Sequence, residues 1–438
     1  MRKYKILLLS DDLRCVSGVG VQSRALVEGL VKTGKYSFRQ LGGAMKHPNY
    51  DIQVLHPDIV VKPIDGFGTP QALRQLLITE RPDAIMLFTD PRQFIWVWQM
   101  EDEINQICPI VYWHVWDNDP YPDYNTPFYE STDLINCISK KTYDLVREKF
   151  PHKTNYIPHA FPDSWYYPLP QEEIQKIRTE SLGQRKDWFF ALWVNRNAHR
   201  KMPSDVIQGF KMFLDKLQET EGHKNAVLVM HTNPKDPEGP DLHAVSEALG
   251  VSDRVMFSTA HIDMPDMNRL YNVSDVLINV SRAEGFGLSL NAAMKVGKPV
   301  IALKTGGMTD QIVDERNGNV HGVALEPVER YLVGSQATPY IYDDHFSKKE
   351  LAEGLYKIYK LAPEEKQKIA QEAKDHLDHQ FNFEKIVEEW DRTLENTITN
   401  WQNKNGEKNW GVIHFNPPVD NNVLNISEIK NRSPKVRG

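Results

Sequence analysis

Short, continuously apolar runs alternate along the chain with stretches whose apolar residues recur at helical spacing. In the first part of the sequence such runs predict buried strands at 5–10, 84–88, 110–114, 134–138 and 154–157. Helical spacing predicts helices at 21–33 and 140–150. Buried parallel strands are apolar on both faces, and strand–helix alternation brings such strands side by side. This part therefore predicts a doubly wound α/β domain.

The same alternation begins again after a Pro-, Glu- and Gln-rich stretch at 162–186. Apolar runs predict strands at 188–194, 226–231, 254–258, 276–280 and 299–303. Helical spacing predicts helices at 204–218, 242–249, 264–273 and 288–296, and later at 348–361, 363–379 and 383–399. The sequence thus predicts two Rossmann-like domains in tandem, over 1–163 and 164–382. A helix at 383–400 follows, and then a polar, poorly packed tail at 401–438.

Composition narrows the class of protein without naming it. Of 438 residues, 40% are hydrophobic and 25% are charged, which is an ordinary globular balance. The formal charge of −7 does not favour general attraction to nucleic acid or anionic lipid. Three cysteines without a C-x-x-C spacing predict free thiols and no cysteine-based zinc site. No apolar stretch reaches the ~20 residues of a membrane span, so we expect a cytoplasmic protein.

Candidate chemistry follows the predicted strands, where ligands of open α/β sheets bind. The segment after the strand at 276–280 contains Glu284, Gly285 and Gly287, and a helix is predicted to start at Leu288. Glycines let backbone approach a ligand closely, and a helix N-terminus presents free N–H groups to a diphosphate. A tight strand–helix turn with a solvated Glu284 explains the pattern about equally well.

The loop after the strand at 188–194 is basic. It carries Arg196, Arg200 and Lys201 before the next predicted helix. A forked guanidinium and a compact ammonium both suit pyrophosphate oxygens, and they could neutralise a leaving diphosphate without a metal. A basic surface loop is the alternative.

Further candidates lie at other strand ends, each with a structural alternative. The pair Gly18 and Gly20 opens the first helix, but a lone G-x-G is a weak signal. His114 follows the strand at 110–114 in an aromatic loop, where it could contact a sugar hydroxyl. Turn geometry or core packing explains each of these positions as well. The remaining candidates of this kind are Asp117, Asp119, His159, Gly306 and Gly307.

Taken in order, these segments resemble the retaining GT-B glycosyltransferases of the GT4 type. The resemblance rests on the donor-site run Glu284-Gly-Phe-Gly-Leu288 with Ala293-Met294, Gly297-Lys-Pro-Val300 and Gly306-Gly307. It is supported by Arg196-Asn-Ala-His-Arg-Lys201, Gly18-Val-Gly20 and Ile157-Pro-His-Ala160. It spans about 5–400 and is weak between 42 and 109.

The resemblance implies two Rossmann-like domains facing a central cleft, with the acceptor on the N-terminal domain and the donor on the C-terminal domain. It implies that the helix at 383–400 crosses back to the first domain. It also implies transfer of a hexose or pentose from a nucleotide-diphosphate sugar, with retention and without a metal or other cofactor. Domain closure about 162–170 is expected. The implied catalytic residues are Glu284 at the donor sugar, Arg196 and Lys201 at the diphosphate and His114 near the reacting centre. The implied donor-binding residues are Gly18, Gly20, Gly285, Phe286, Gly287 and Leu288.

One position departs from the family pattern. A second Glu, which usually holds the donor ribose, would stand eight residues after Glu284, where this chain has Ala292. A methyl group cannot accept hydroxyl hydrogen bonds, so Asn291 or another group must substitute or nucleoside binding is altered. This departure also allows a second hypothesis, that the protein is a non-catalytic nucleotide-sugar-binding subunit. A GT-B isomerase acting on a nucleotide sugar is a third hypothesis. The sequence does not distinguish between four kinds of acceptor: a glycan, a lipid-linked sugar, a small molecule and a hydroxylated base in DNA.

Overall fold

The structure, a computed structural model, describes residues 2–406, and its N-terminal half is built on one eight-stranded sheet. The strands are β1 (Tyr4–Asp11), β2 (Tyr36–Gly43), β3 (Gln53–His56), β4 (Ile59–Pro63), β5 (Ala84–Phe88), β6 (Ile110–His114), β7 (Leu134–Cys137) and β8 (Thr154–Tyr156). Their order is β3-β4-β2-β1-β5-β6-β7-β8, and all neighbours are parallel except β3 and β4. The helices of this half are α1 (Gly18–Lys32), α2 (Pro70–Glu80), α3 (Ile95–Trp98), α4 (Glu101–Ile104), α5 (Thr126–Glu130) and α6 (Lys140–Arg147).

The second half repeats the plan on a six-stranded parallel sheet. Its order is β11-β10-β9-β12-β13-β16. Its six strands are β9 (Phe189–Val194), β10 (Ala226–His231), β11 (Val255–Ser258), β12 (Val276–Asn279), β13 (Val300–Leu303) and β16 (Gly322–Leu325). Between β13 and β16, β14 (Val313–Asp314) and β15 (Asn319–Val320) form a separate antiparallel pair. The helices are α7 (Gln171–Leu182), α8 (Pro203–Glu221), α9 (Leu242–Ala248), α10 (Met264–Val273), α11 (Leu288–Lys295), α12 (Thr309–Ile312), α13 (Lys348–Lys360) and α14 (Pro363–Gln380). The predicted fold class, two doubly wound α/β domains, is confirmed.

The last helix, α15 (Phe383–Gly406), returns to the N-terminal domain. Gly29 of α1 leaves room for it, since a Cβ there would lie 2.6 Å from Val387. Trp390 packs on Trp113 with ring centroids 5.0 Å apart, and the Tyr36 hydroxyl donates to the Asp391 carboxylate at 2.7 Å. The helix runs through 401–406, which was predicted to be part of the tail. The rest of the predicted tail, 407–438, lies outside the described residues.

A two-stranded hairpin between β16 and α13 was not predicted. It consists of β17 (Glu329–Val333) and β18 (Ile341–His345), paired antiparallel and separate from both large sheets. We call residues 329–345 the cleft hairpin. Its contacts cross to the loop after β6: the Tyr342 N–H donates to the Asp119 carbonyl at 2.8 Å, and the Tyr124 hydroxyl donates to the Tyr340 carbonyl at 3.1 Å. The hairpin therefore joins the two domains at one end of the cleft.

Candidate active site

A cleft of about 570 Å³ lies where the carboxyl ends of both sheets meet. This volume is within the range of small-molecule sites, roughly 300–1,000 Å³. The N-terminal domain lines it with the start of α1, the segment after β5 and the loop after β6. The C-terminal domain contributes the loops after β9 and β12, and the cleft hairpin covers one side. The cleft thus stands where ligands of doubly wound sheets bind.

The loop between β12 and α11 forms the donor-domain wall. Gly287 has φ of 94°, and a Cβ there would lie 2.9 Å from Met308. Gly306 has φ of 48°, and a Cβ there would lie 2.1 Å from the Glu284 carbonyl oxygen. Both positions therefore need glycine. Helix α11 begins at Leu288 without a side-chain cap, and the Leu290 N–H donates to the Gly287 carbonyl at 3.0 Å. The N–H groups of Leu288 and Ser289 are left for the oxygens of a ligand at this wall.

Three charged side chains converge beside that loop. Lys201 and Glu284 form an ion pair, and their side chains are only 9% and 14% exposed. A guanidinium nitrogen of Arg200 lies 3.6 Å from the Glu284 carboxylate and 3.9 Å from that of Asp117. Arg200 and Glu284 line the cleft at the same wall as the α11 N-terminus, whereas Lys201 is paired with Glu284 but is not itself a lining residue.

The protonation states of this pair follow from burial and charge together. Burial acts to raise the pKa of Glu284, but Lys201 and Arg200 outweigh it and hold that pKa below its ordinary value. Burial and the neighbouring Arg200 lower the pKa of Lys201, while Glu284 acts in the opposite direction. Glu284 is therefore an ionised acceptor at neutral pH, suited to hydroxyl groups.

Arg196 does not reach the cleft in this structure. Its guanidinium makes two hydrogen bonds to the Asp236 carboxylate, at 2.8 and 3.1 Å, and the side chain is 59% exposed. Arg200, one of the three basic candidates on this loop but not one that the resemblance assigned to the diphosphate, lines the cleft instead. A 3₁₀ turn at His199–Lys201 followed by Met202 in the left-handed region sets these directions.

The two candidate histidines lie in different surroundings, one in the core and one at the cleft. His114 is fully buried, and its Nε2 lies 2.7 Å from the Tyr129 hydroxyl, away from the cleft. His159 lines the cleft, with its ring against Phe88 and Phe286. Burial lowers the pKa of each imidazole to about 3. Both are therefore neutral at physiological pH.

The glycine loop of the N-terminal domain lies across the cleft from α11. Ser17 caps α1 by accepting from the Gly20 N–H at 3.0 Å and donates to the Asp11 carboxylate. Gly18 lines the cleft, and a Cβ there would lie 3.1 Å from Leu288 Cδ1. Gly20 is buried beneath it, where a Cβ would lie 2.5 Å from the Cys15 carbonyl oxygen. Gly18 therefore forms wall surface, and Gly20 permits the turn.

Residues 285–288 all line the cleft, whereas Asn291 does not. Asn291 has no exposed surface, and among residues 2–406 neither polar atom of its side chain has a hydrogen-bond partner. Ala292 is 1% exposed and lies in the same helix. The structure therefore does not bring Asn291 to the cleft as a substitute for the missing second Glu.

Several residues that line the cleft were not predicted from the sequence to have a role. Asp90 and Arg92 follow β5 and pair with each other, with Arg92 Nε donating to Asp90 at 2.8 Å. Ser335, Thr338 and Asp343 come from the cleft hairpin. The hairpin did leave a signal, because strand-like residues on both sides of Gly334 and Pro339 are typical of a β-turn-β unit. Within 2–406, no helix is long and apolar enough to cross a bilayer, and no cluster of three or more His, Cys, Asp or Glu side chains could hold a metal.

The chain is similar in sequence to known proteins over part of its length. Residues 174–326 match the family model "Glycosyl transferases group 1". Mannosylfructose-phosphate synthase of Agrobacterium fabrum is 26% identical over 214 residues, which are 47% of this chain and 44% of that protein. Trehalose synthase of Pyrococcus horikoshii is 32% identical over 133 residues, 29% of this chain and 31% of that protein. The matched regions thus span less than half of these curated relatives.

Solved structures extend the likeness to nearly the whole chain. Sucrose-phosphate synthase from Thermosynechococcus elongatus superposes with a TM-score of 0.69 at 17% identity, covering 91% of this chain and 100% of that one. Anabaena HepE in complex with UDP and glucose gives a TM-score of 0.66 at 19% identity, covering 90% and 99%. Residues 174–326 are thus similar to the group 1 glycosyl transferases, and the chain as a whole has the GT-B fold of two Rossmann-like domains around a central cleft.

Proposed function

We propose that this protein is a retaining glycosyltransferase that moves a hexose from a nucleotide-diphosphate sugar to an acceptor hydroxyl in the cleft. The observation that carries the proposal is the convergence of Glu284, Lys201 and Arg200 at the uncapped start of α11. The matched family and the UDP and glucose of the HepE complex support a nucleotide sugar as donor. Retention rests on the resemblance to GT4 enzymes.

The proposed chemistry assigns charge neutralisation to the protein. The bond between the anomeric carbon and the diphosphate oxygen breaks, and the acceptor oxygen takes its place. The hydroxyl proton ends on the diphosphate or in solvent. Arg200, Lys201 and the α11 N–H groups stabilise the charge that grows on the leaving diphosphate. This assignment requires no metal ion or cofactor.

The other residues orient the donor. Glu284 accepts hydrogen bonds from the hydroxyls of the donor sugar, and the amides of 285–288 contact sugar or phosphate. Arg196 reaches the diphosphate only after it releases Asp236. His114 acts at most through Tyr129, because it lies in the core. Neutral His159, at the cleft surface, takes the position near the sugar that the sequence assigned to His114.

A donor panel tests the proposal. Thermal shift and sugar release are measured with UDP-, GDP-, ADP- and TDP-glucose for the parent, Lys201→Met and Glu284→Gln. Lys211→Met is the matched control, since Lys211 pairs with Asp215 at 2.6 Å in a half-exposed position. One donor should raise the melting temperature of the parent and the control, as ligands of the native state do. Lys201→Met should lose that shift. No shift with any of the four donors in the parent would remove the proposed donor site.

A second candidate function is a nucleotide-sugar-binding subunit without activity. It is favoured by one observation, that Ala292 offers no acceptor for ribose hydroxyls and that Asn291 is buried away from the cleft. A thermal shift with a donor, but no sugar release and no transfer to any acceptor, would favour this candidate over the transferase.

A further inference from the structure

Two further walls of the cleft carry polar side chains. Thr89, Asp90 and Arg92 come from the N-terminal domain, and Ser335 and Thr338 come from the turn of the cleft hairpin. The turn is fixed, because the Ser335 N–H donates to the Thr338 carbonyl at 2.8 Å and the Thr338 N–H donates to the Ser335 hydroxyl at 3.1 Å. These walls offer carboxylate, guanidinium and hydroxyl groups side by side.

Each cation at the cleft already has a carboxylate partner. Besides the pairs of Lys201 with Glu284 and Arg200 with Asp117, Arg92 donates to Asp90 at 2.8 Å, and Arg282 lies 3.6 Å from Asp343 in the hairpin wall. A donor diphosphate at Lys201 and Arg200 would take up the charge of those two groups. Among the described residues that line the cleft, the remaining cation is Arg92, which is paired with Asp90, so no unpaired cation is left for a phosphate on the acceptor.

The Asp90–Arg92 pair instead suits neighbouring hydroxyl groups. A carboxylate only accepts hydrogen bonds and a guanidinium only donates them, whereas each hydroxyl of a polyol does both. Adjacent hydroxyls can therefore satisfy Asp90 and Arg92 without separating the charges. A phosphate would have to displace Asp90 from Arg92 and would lie next to the displaced carboxylate, which is unfavourable.

We propose that the acceptor is an uncharged carbohydrate or polyol, held by its hydroxyls between the Asp90–Arg92 pair and the turn of the cleft hairpin. This inference rests on the proposed function and narrows it. The proposal excludes two acceptors, phosphorylated sugars and duplex DNA that carries hydroxylated bases. Both would bring a phosphate into a cleft whose cations are already paired with carboxylates.

The test compares acceptors that differ only in a phosphate. With the donor from the panel, kcat/KM is measured for glucose against glucose 6-phosphate and for myo-inositol against inositol 3-phosphate. A duplex containing 5-hydroxymethylcytosine is included. The parent should prefer the uncharged member of at least one pair by about tenfold or more. Preference for the phosphorylated members, transfer to the duplex, or transfer to none of these acceptors would overturn the inference.

Asp90→Asn and a matched control locate the effect. The amide keeps the Asp90 hydrogen bond to the Arg92 N–H but removes the negative charge, so Arg92 becomes available to a phosphate. The preference should shift at least about fivefold towards glucose 6-phosphate. Glu103→Gln breaks a similar pair, with Arg74 at 2.7 Å, on a surface outside the cleft and should change nothing. An unchanged preference in Asp90→Asn would refute the role of this pair.

Saturation-transfer NMR tests acceptor binding independently of sugar transfer, so a failure of this inference can be distinguished from a failure of the proposed function. Spectra with glucose and with glucose 6-phosphate, recorded in the presence of UDP, report acceptor binding without turnover. A parent that binds glucose selectively but releases no sugar from any donor contradicts the proposed transferase and supports the acceptor site. A parent that transfers sugar but binds glucose 6-phosphate more tightly contradicts the acceptor site alone.

Discussion

The ion pair between Lys201 and Glu284 should contribute to stability as well as to donor binding. In Lys201→Met the isosteric apolar chain removes the ammonium and leaves Glu284 buried, with Arg200 at 3.6 Å as the remaining cation. Removing one partner of a buried pair costs about 3–5 kcal/mol. Arg200 compensates in part, so we expect a loss near the lower end, about 3 kcal/mol. The pKa of Glu284 should rise, because the charge and the hydrogen bond of Lys201 both lower it.

The assay is urea unfolding followed by fluorescence, read as the shift of the midpoint at constant slope. The double variant Lys201→Met/Glu284→Gln should regain most of the lost stability, because no uncompensated carboxylate remains. Lys211→Met, at an exposed i,i+4 pair, should change the free energy of unfolding by less than about 0.5 kcal/mol. A double variant no more stable than Lys201→Met would refute the reasoning, as would a single-variant loss no larger than that of the control.

Three further predictions concern single contacts at the cleft and between the domains. Burial raises the pKa of Asp310 from 3.8 to about 6, so the folded protein favours the protonated carboxyl group. The resulting contribution to the free energy of unfolding is present below pH 4 and is lost as the pH rises through 6. Asp310→Asn should therefore be more stable than the parent at pH 8, by at most about 3 kcal/mol, and equal to it below pH 4, in urea titrations at each pH. Arg200→Gln should weaken donor binding, measured by calorimetry, at least about tenfold, and Arg196→Gln should weaken it less. A larger effect of Arg196→Gln would show that Arg196 leaves Asp236 to bind the diphosphate. Asn118→Ala removes three hydrogen bonds between the domains, to Thr305, Tyr342 and Asp344. X-ray scattering should therefore give a larger radius of gyration for the donor-free variant than for the parent. Superimposable scattering profiles would contradict domain closure about 162–170.

Many interior strands were predicted because buried parallel strands leave a direct signal. The apolar runs at β1, β5 and β6 are such strands, and each is predicted within one or two residues of its observed bounds. The buried strand β2 was nevertheless missed, since Arg39 and Gln40 interrupt its apolar residues. The edge strand β3 is largely exposed and has no such run, so it was missed. The cleft hairpin left only the weaker signal of strand-like residues around a turn, because every residue of β17 is exposed, and it was missed.

The candidate site shows where a linear pattern loses information. Glu284 and the amides of 285–288 lie at the cleft because they belong to one strand–turn–helix unit, whose shape is local. Arg196 and Arg200 are four residues apart on one loop, and only the turn at 199–201 decides which of them faces the cleft. The position of His114 could have been inferred, because it ends a strand that is apolar throughout, and β6 is buried along its full length.

The measurement that tests the account most directly is NMR analysis of the product formed from the donor of the panel and an uncharged acceptor. The account predicts a new glycoside with the anomeric configuration of the donor, one nucleoside diphosphate released per glycoside, and no glycoside with Glu284→Gln. Nucleotide-sugar binding without any glycoside, or an unchanged yield with Glu284→Gln, would contradict it.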